Sequence, residues 1–175
     1  MKSGSNTFWM AGRVLFLLLV VAGVVMSQEP YRPPRHFSGV INDYTPSNTM
    51  PPGPWEVRGT WSLTPDRDGD KASFSAALTM EQSAADPRMQ HTHHITIEQG
   101  AVTPLPNGGF EVDGIPTLTK DGGPAPLQPA TLHIQITGGT LVEHSNITLQ
   151  FDVVSGGPTI HFGPQMLHGV VRKSS

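Results

Sequence analysis

Eight histidines and no cysteine are the chemical resource of this 175-residue chain. Three of the histidines stand together in His91-Thr92-His93-His94, followed by Ile95, Ile97 and Glu98. Successive side chains of a strand point to opposite sides. His91 and His93 therefore share a face with Ile95 and Ile97, whereas His94, Thr96 and Glu98 take the other. Later in the chain Glu143 aligns with Leu141 and Ile147. If 159–171 forms one strand through Gly163-Pro164, His168 joins Ile160, Phe162 and Val170 on the inner face and His161 points out. The inward polar set is then His91, His93, Glu143 and His168. Imidazole nitrogens and a carboxylate form a ligand set for a divalent transition metal, namely Zn, Cu, Fe or Ni. An apolar lining around such a set limits water access.

The remaining candidates are weaker. His133 and His144 fall on the polar face of a predicted hairpin, where two ligands alone make a poor metal site. The loop Asp66-Arg67-Asp68-Gly69-Asp70-Lys71 has alternating carboxylates, but Lys71 and Ala77 occupy positions that an EF-hand loop gives to Gly and Glu. Nucleophilic catalysis has no support, because Cys and the G-x-S-x-G pattern are both missing. No glycine-rich phosphate loop opens a helix either.

The elements that must position these residues are strands. Gly 19 and Pro 17, with only 14% charged residues, suit many strands joined by tight turns. Trp55, Val57, Gly59, Trp61 and Leu63 alternate with Glu56, Arg58, Thr60, Ser62 and Thr64, and Ala72, Phe74, Ala76, Leu78 and Met80 repeat the pattern. The two runs make a hairpin around the Asp66–Lys71 loop. A second hairpin is predicted at Gly138-Gly139, which pairs Ile134 with Glu143 and His133 with His144. Weaker strands cover 91–102, 110–119 and 159–171, and only 79–86 suggests a helical turn. The expected fold is all-β, with about eight antiparallel strands in a small barrel or two-sheet sandwich.

Ahead of this domain, assigned to 55–175, lie two further segments. Residues 1–27 read as a signal peptide or uncleaved membrane-anchor helix. Its apolar run Val14–Met26 is shorter than the roughly 20 residues of a spanning helix and suits a signal-peptide core. Residues 28–54 are proline-rich and read as a tether or strap, with a short strand only at 36–41. The protein is expected to be exported, to the periplasm or outside the cell, and to touch a membrane only through that first segment. A formal charge of −3 gives no reason to expect nucleic acid as a partner.

His91-Thr92-His93 with Glu98 resembles the first half of the cupin signature, and Gly163-Pro164 before His168 resembles its second half. That resemblance implies a jelly-roll barrel with three histidines and one glutamate around a metal, Glu98 standing as an alternative to Glu143. Gly59-Thr60-Trp61 resembles the GxW that opens lipocalin and avidin-like barrels, which implies a small hydrophobic ligand. The first reading is accordingly a non-catalytic binding protein, with Trp55, Trp61, Phe74 and Phe151 lining a site for a small apolar ligand. The second is a cupin-like metal-binding protein or metal-dependent enzyme. The third is a structural cell-surface domain.

Overall fold

The computed structural model describes residues 36–82, 90–106, 108–138 and 146–174. The leader helix expected over 1–27 and the start of the proline-rich segment lie outside the described residues. The described chain forms strands β1 (Phe37–Tyr44), β2 (Glu56–Pro65), β3 (Lys71–Glu81), β4 (His91–Pro104) and β5 (Phe110–Gly114). It continues through β6 (Thr117–Lys120), β7 (Gly123–Pro124), β8 (Leu132–Thr137), β9 (Asn146–Phe151), helix α1 (Thr159–Phe162) and β10 (Leu167–Ser174).

Eight of these strands close into an antiparallel barrel in the order β3-β2-β1-β10-β9-β8-β5-β4, and β3 pairs with β4 to complete the circuit. Apart from β6 and β7, each barrel strand pairs with its neighbours in sequence. This is an up-and-down barrel, not the pair of Greek keys that makes a jelly roll, so the topology implied by the cupin resemblance is not the one found. β6 and β7 are extra strands: β6 pairs with β4 over His93–Thr96, and β7 pairs with β6.

The barrel starts earlier than the boundary at Trp55. β1 lies within the segment read as a strap, yet it is a full barrel strand between β2 and β10. Gly39 makes this possible, since a Cβ there would run into the Val170 carbonyl and the Trp61 ring. Pro46, Pro51, Pro52 and Pro54 fall after β1, in the 45–55 loop, where no ladder hydrogen bonds are needed.

The alternation read from the sequence is obeyed on most walls. Val57, Trp61, Leu63, Phe74, Leu78, Met80, Ile95, Ile134, Ile147 and Leu149 are all buried in one core. The β8–β9 register differs from the expected one: Ile134 pairs with Leu149 and His133 with Gln150. The partner of Ile134 thus moves from position 143 to position 149, an even shift, so every face is preserved. Glu143 and His144 lie outside the described residues. Eight strands leave an interior that side chains can fill. Trp55, Trp61, Phe74 and Phe151, expected to line a ligand site, are all members of this core cluster.

The second difference is at 159–171. Its first four residues are helical, and β10 begins only at Leu167. Pro158 suits a first helical turn through its fixed φ, and Gly163 ends the helix at φ 86, a conformation that favours glycine. Strand parity is lost across this turn. Ile160, expected inside, is exposed, whereas His161 and Phe162 are buried. On β10 the inner positions are Leu167 and Val171, and Val170 is exposed.

Candidate metal centre

One end of the barrel gathers the start of β4, the end of β3, the end of β9 and α1. His91 and His93 both point inward there, as their alternation with Ile95 and Ile97 requires, and both are buried. The third residue of the group is His161 from α1. The ring centroids of His91, His93 and His161 stand 4.9 to 5.0 Å apart in all three pairs. One nitrogen from each ring lies within 4.8 Å of those of the other two.

One loop and one strand hold α1 over this end. The backbone N–H of Met50 donates to the Ile160 carbonyl at 2.6 Å, and His161 Nδ1 lies 3.0 Å from the Met50 carbonyl. The 45–55 loop carrying Met50 is itself fixed by Trp55, whose indole N–H donates to the Pro51 carbonyl at 3.0 Å. Its backbone N–H donates to Thr45 Oγ1 at 2.9 Å. On the other side Phe162 stacks on Phe151 of β9 at 5.4 Å and meets the His93 ring at 5.0 Å. The Trp55 ring stands edge-on to His91 at 5.4 Å. Three imidazoles are thus enclosed by aromatic side chains.

Backbone carbonyls decide the tautomers. A carbonyl can only accept, so His161 Nδ1 carries a proton for Met50, and His93 Nδ1 carries one for the Thr119 carbonyl at 3.0 Å. Each ring then turns an unprotonated Nε2 away from its carbonyl. His161 Nε2 meets His91 Nε2 at 2.8 Å, a contact that needs a proton from the His91 side. His93 Nε2 is buried and has no hydrogen-bond partner among the described residues. Burying such an acceptor unsatisfied costs about 1–3 kcal/mol.

The electrostatics keep His93 and His161 neutral. Burial first, then the neighbouring His161 and His91, pulls His93 down to about 3, against the opposing bond to Thr119. Burial likewise lowers His161, with His91 and Lys120 adding to the effect and the Met50 bond opposing it. Neutral imidazole is the form that binds a metal. An Nδ1–H donated to a backbone carbonyl, with Nε2 left for the ion, is the usual outer support of a histidine ligand.

His168, assigned to the inner set by parity, is on the outer wall instead, with a side chain 66% exposed. Its Nδ1 and backbone N–H both meet Asp43 Oδ2 at 2.8 Å. Burial acts against ionisation of Asp43, but the bonds from His168 and Tyr44 outweigh it and leave the carboxyl lowered. Glu98 is exposed on the outward face of β4, so it does not reach the imidazoles. Among the described residues, no carboxylate belongs to the three-histidine group. The residue that the sequence reading missed is His161, and the only signal for it was the Gly-Pro dipeptide on each side of Thr159–Phe162.

A second cluster lies on the outer wall. His133 Nδ1 is 2.7 Å from Asp113 Oδ1 and 3.4 Å from Glu111 Oε1, and its Nε2 is 3.1 Å from Asp152 Oδ1. Burial disfavours the charged ring, but the bonds to Asp152 and Asp113 outweigh it and raise its pKa. With carboxylates at both nitrogens, the charged form of His133 is favoured in this half-exposed group.

Comparisons with protein families, with curated proteins and with solved structures found no match to this chain.

Proposed function

We propose that this barrel is a metal-binding protein whose ion sits between the Nε2 atoms of His91, His93 and His161. The observation that carries this reading is the unpartnered Nε2 of His93, buried beside two further imidazoles whose ring nitrogens already face one another. Alone, the arrangement leaves an acceptor unsatisfied in an apolar pocket. A cation at its centre satisfies all three rings once the His91 proton moves from Nε2 to Nδ1, and the carbonyls of Thr119 and Met50 already hold the other two in the required tautomer. Imidazole ligands suit Zn, Cu, Fe or Ni.

The reading as an apolar-ligand carrier ranks second. Its four aromatic residues are engaged in core packing, and Trp55 also bonds the loop that holds α1. Export remains part of the proposal, supported by the apolar run Val14–Met26. N-terminal sequencing that begins at Gln28 or Glu29 supports cleavage, and an intact Met1 counts against it.

Elemental analysis after metal loading and exhaustive dialysis tests the central reading. One transition-metal ion per chain is expected for the wild type and for His168→Ala, and none for His93→Ala. Full occupancy in His93→Ala, with its fold verified by circular dichroism, overturns it.

A further inference from the structure

The chemistry around the three imidazoles says which ion they suit, an inference that rests on the metal reading above. All three ligands are uncharged, and no carboxylate joins them among the described residues. Several described carboxylates are engaged elsewhere, Asp43 with His168, Asp113 and Asp152 with His133, and Asp121 with the Thr92 backbone among them. Lys120 stands opposite His93 in the β4–β6 register, so its ammonium leaves the backbone on the same side as that ring. From the described residues an ion entering this site receives no charge compensation, and it has a cation near its rim. The cost of taking an ion out of water scales with the square of its charge, so a dication is penalised roughly four times as heavily as a monocation of equal size.

The strand beside His91 offers a soft donor. Met80 on β3 is the direct partner of His91 on β4, and both are buried. Directly opposed residues point to the same face with Cβ atoms about 5 Å apart. The Met80 side chain therefore enters the barrel at the level of His91. Thioether and imidazole together favour copper, and thioether favours its reduced form. We infer that the three-histidine site takes monovalent copper in preference to divalent zinc, with the Met80 thioether as its fourth donor.

The test compares two ions on the full-length protein. Copper is supplied as a Cu(I) acetonitrile complex under anaerobic conditions, and zinc as its chloride, each in competition with a chromophoric chelator. One equivalent of Cu(I) is expected to bind at least 100-fold more tightly than Zn(II). X-ray absorption at the copper edge of the wild type should require nitrogen scatterers and one sulfur. Met80→Leu conserves volume and should weaken Cu(I) at least tenfold, remove the sulfur scatterer and leave Zn(II) binding within twofold. Met166→Leu, at an exposed side chain, should leave the sulfur in place. Zinc bound as tightly as copper, or a wild-type copper spectrum without sulfur, overturns the inference and leaves the metal reading intact. Failure of both ions to bind overturns the metal reading itself.

Discussion

Acid should unfold the metal-free barrel in a pH range where its carboxylates are not yet responsible. The perturbation is a shift from pH 7 to pH 4 with a chelator present. His93 ionises near 6.5 when solvated and only at about 3 in the folded barrel. A lowered histidine contributes stability that is complete above its unfolded pKa and is lost as pH falls toward the folded value. Between those values the unfolded chain binds a proton that the native one does not, so stability falls by about 1.4 kcal/mol per pH unit. At pH 4 the loss from His93 alone is about 3 kcal/mol, a large part of the stability of a typical domain. His161 acts in the same direction. His133 opposes this only near neutrality, because its pKa is raised. Its contribution is complete below about 6.5 and fades only at higher pH. Asp43 and Asp152, both lowered, lose their contributions only as pH falls below about 4.

Urea unfolding followed by tryptophan fluorescence at pH 7 and pH 4 measures the loss. His93→Leu should start less stable at pH 7, because the Thr119 carbonyl loses its donor, yet its further loss at pH 4 should be smaller by about 3 kcal/mol. Equal losses in wild type and His93→Leu would refute the claim that this ring is held neutral by burial.

Other outcomes follow from the same geometry. His161→Ala removes a ligand and the tie to Met50, and should weaken metal binding by more than the roughly 10- to 100-fold typical of losing an outer-shell partner; His168→Ala should leave it unchanged, as titration with a competing chelator would show. Metal at 100 times its dissociation constant should stabilise the fold by about 2.7 kcal/mol, seen as a raised melting temperature that His93→Ala does not share. Asp152→Asn should bring the pKa of His133 down toward the ordinary histidine value, read from the ring-proton shifts against pH. Gly39→Ala places a methyl against the Val170 carbonyl and the Trp61 indole and should cost about 1–3 kcal/mol in a urea titration.

Most of the barrel is legible in the sequence because a period of two is hard to counterfeit over long runs. β2, β3 and the first half of β4 each bury one parity, and that alone brings His91 and His93 inside. The third histidine is hidden by brevity. Four residues cannot display a helical period, and Thr-Ile-His-Phe alternates in polarity as a strand would. One turn of helix therefore exchanges the fates of His161 and His168. The β8–β9 connection misleads differently. Gly138-Gly139 has the composition of a two-residue turn, but the ladder between Thr137 and Asn146 closes farther along. Burial survives this error because the shift is even, whereas every cross-strand partner changes. β1 is legible as the short strand at 36–41, where Phe37, Gly39 and Ile41 carry the inward parity, but the prolines on both sides of it make it look like part of a strap and hide its place in the barrel.

The most direct test of the account is a nitrogen-15 NMR spectrum of histidine-labelled protein before and after one equivalent of diamagnetic metal. The account predicts that the Nε2 resonances of His91, His93 and His161 move to the metal-bound range together, that Nδ1 of His93 and His161 stays protonated, and that the Nε2 resonance of His168 does not move. Coordination at His168, or a spectrum in which His161 is unaffected, would contradict it.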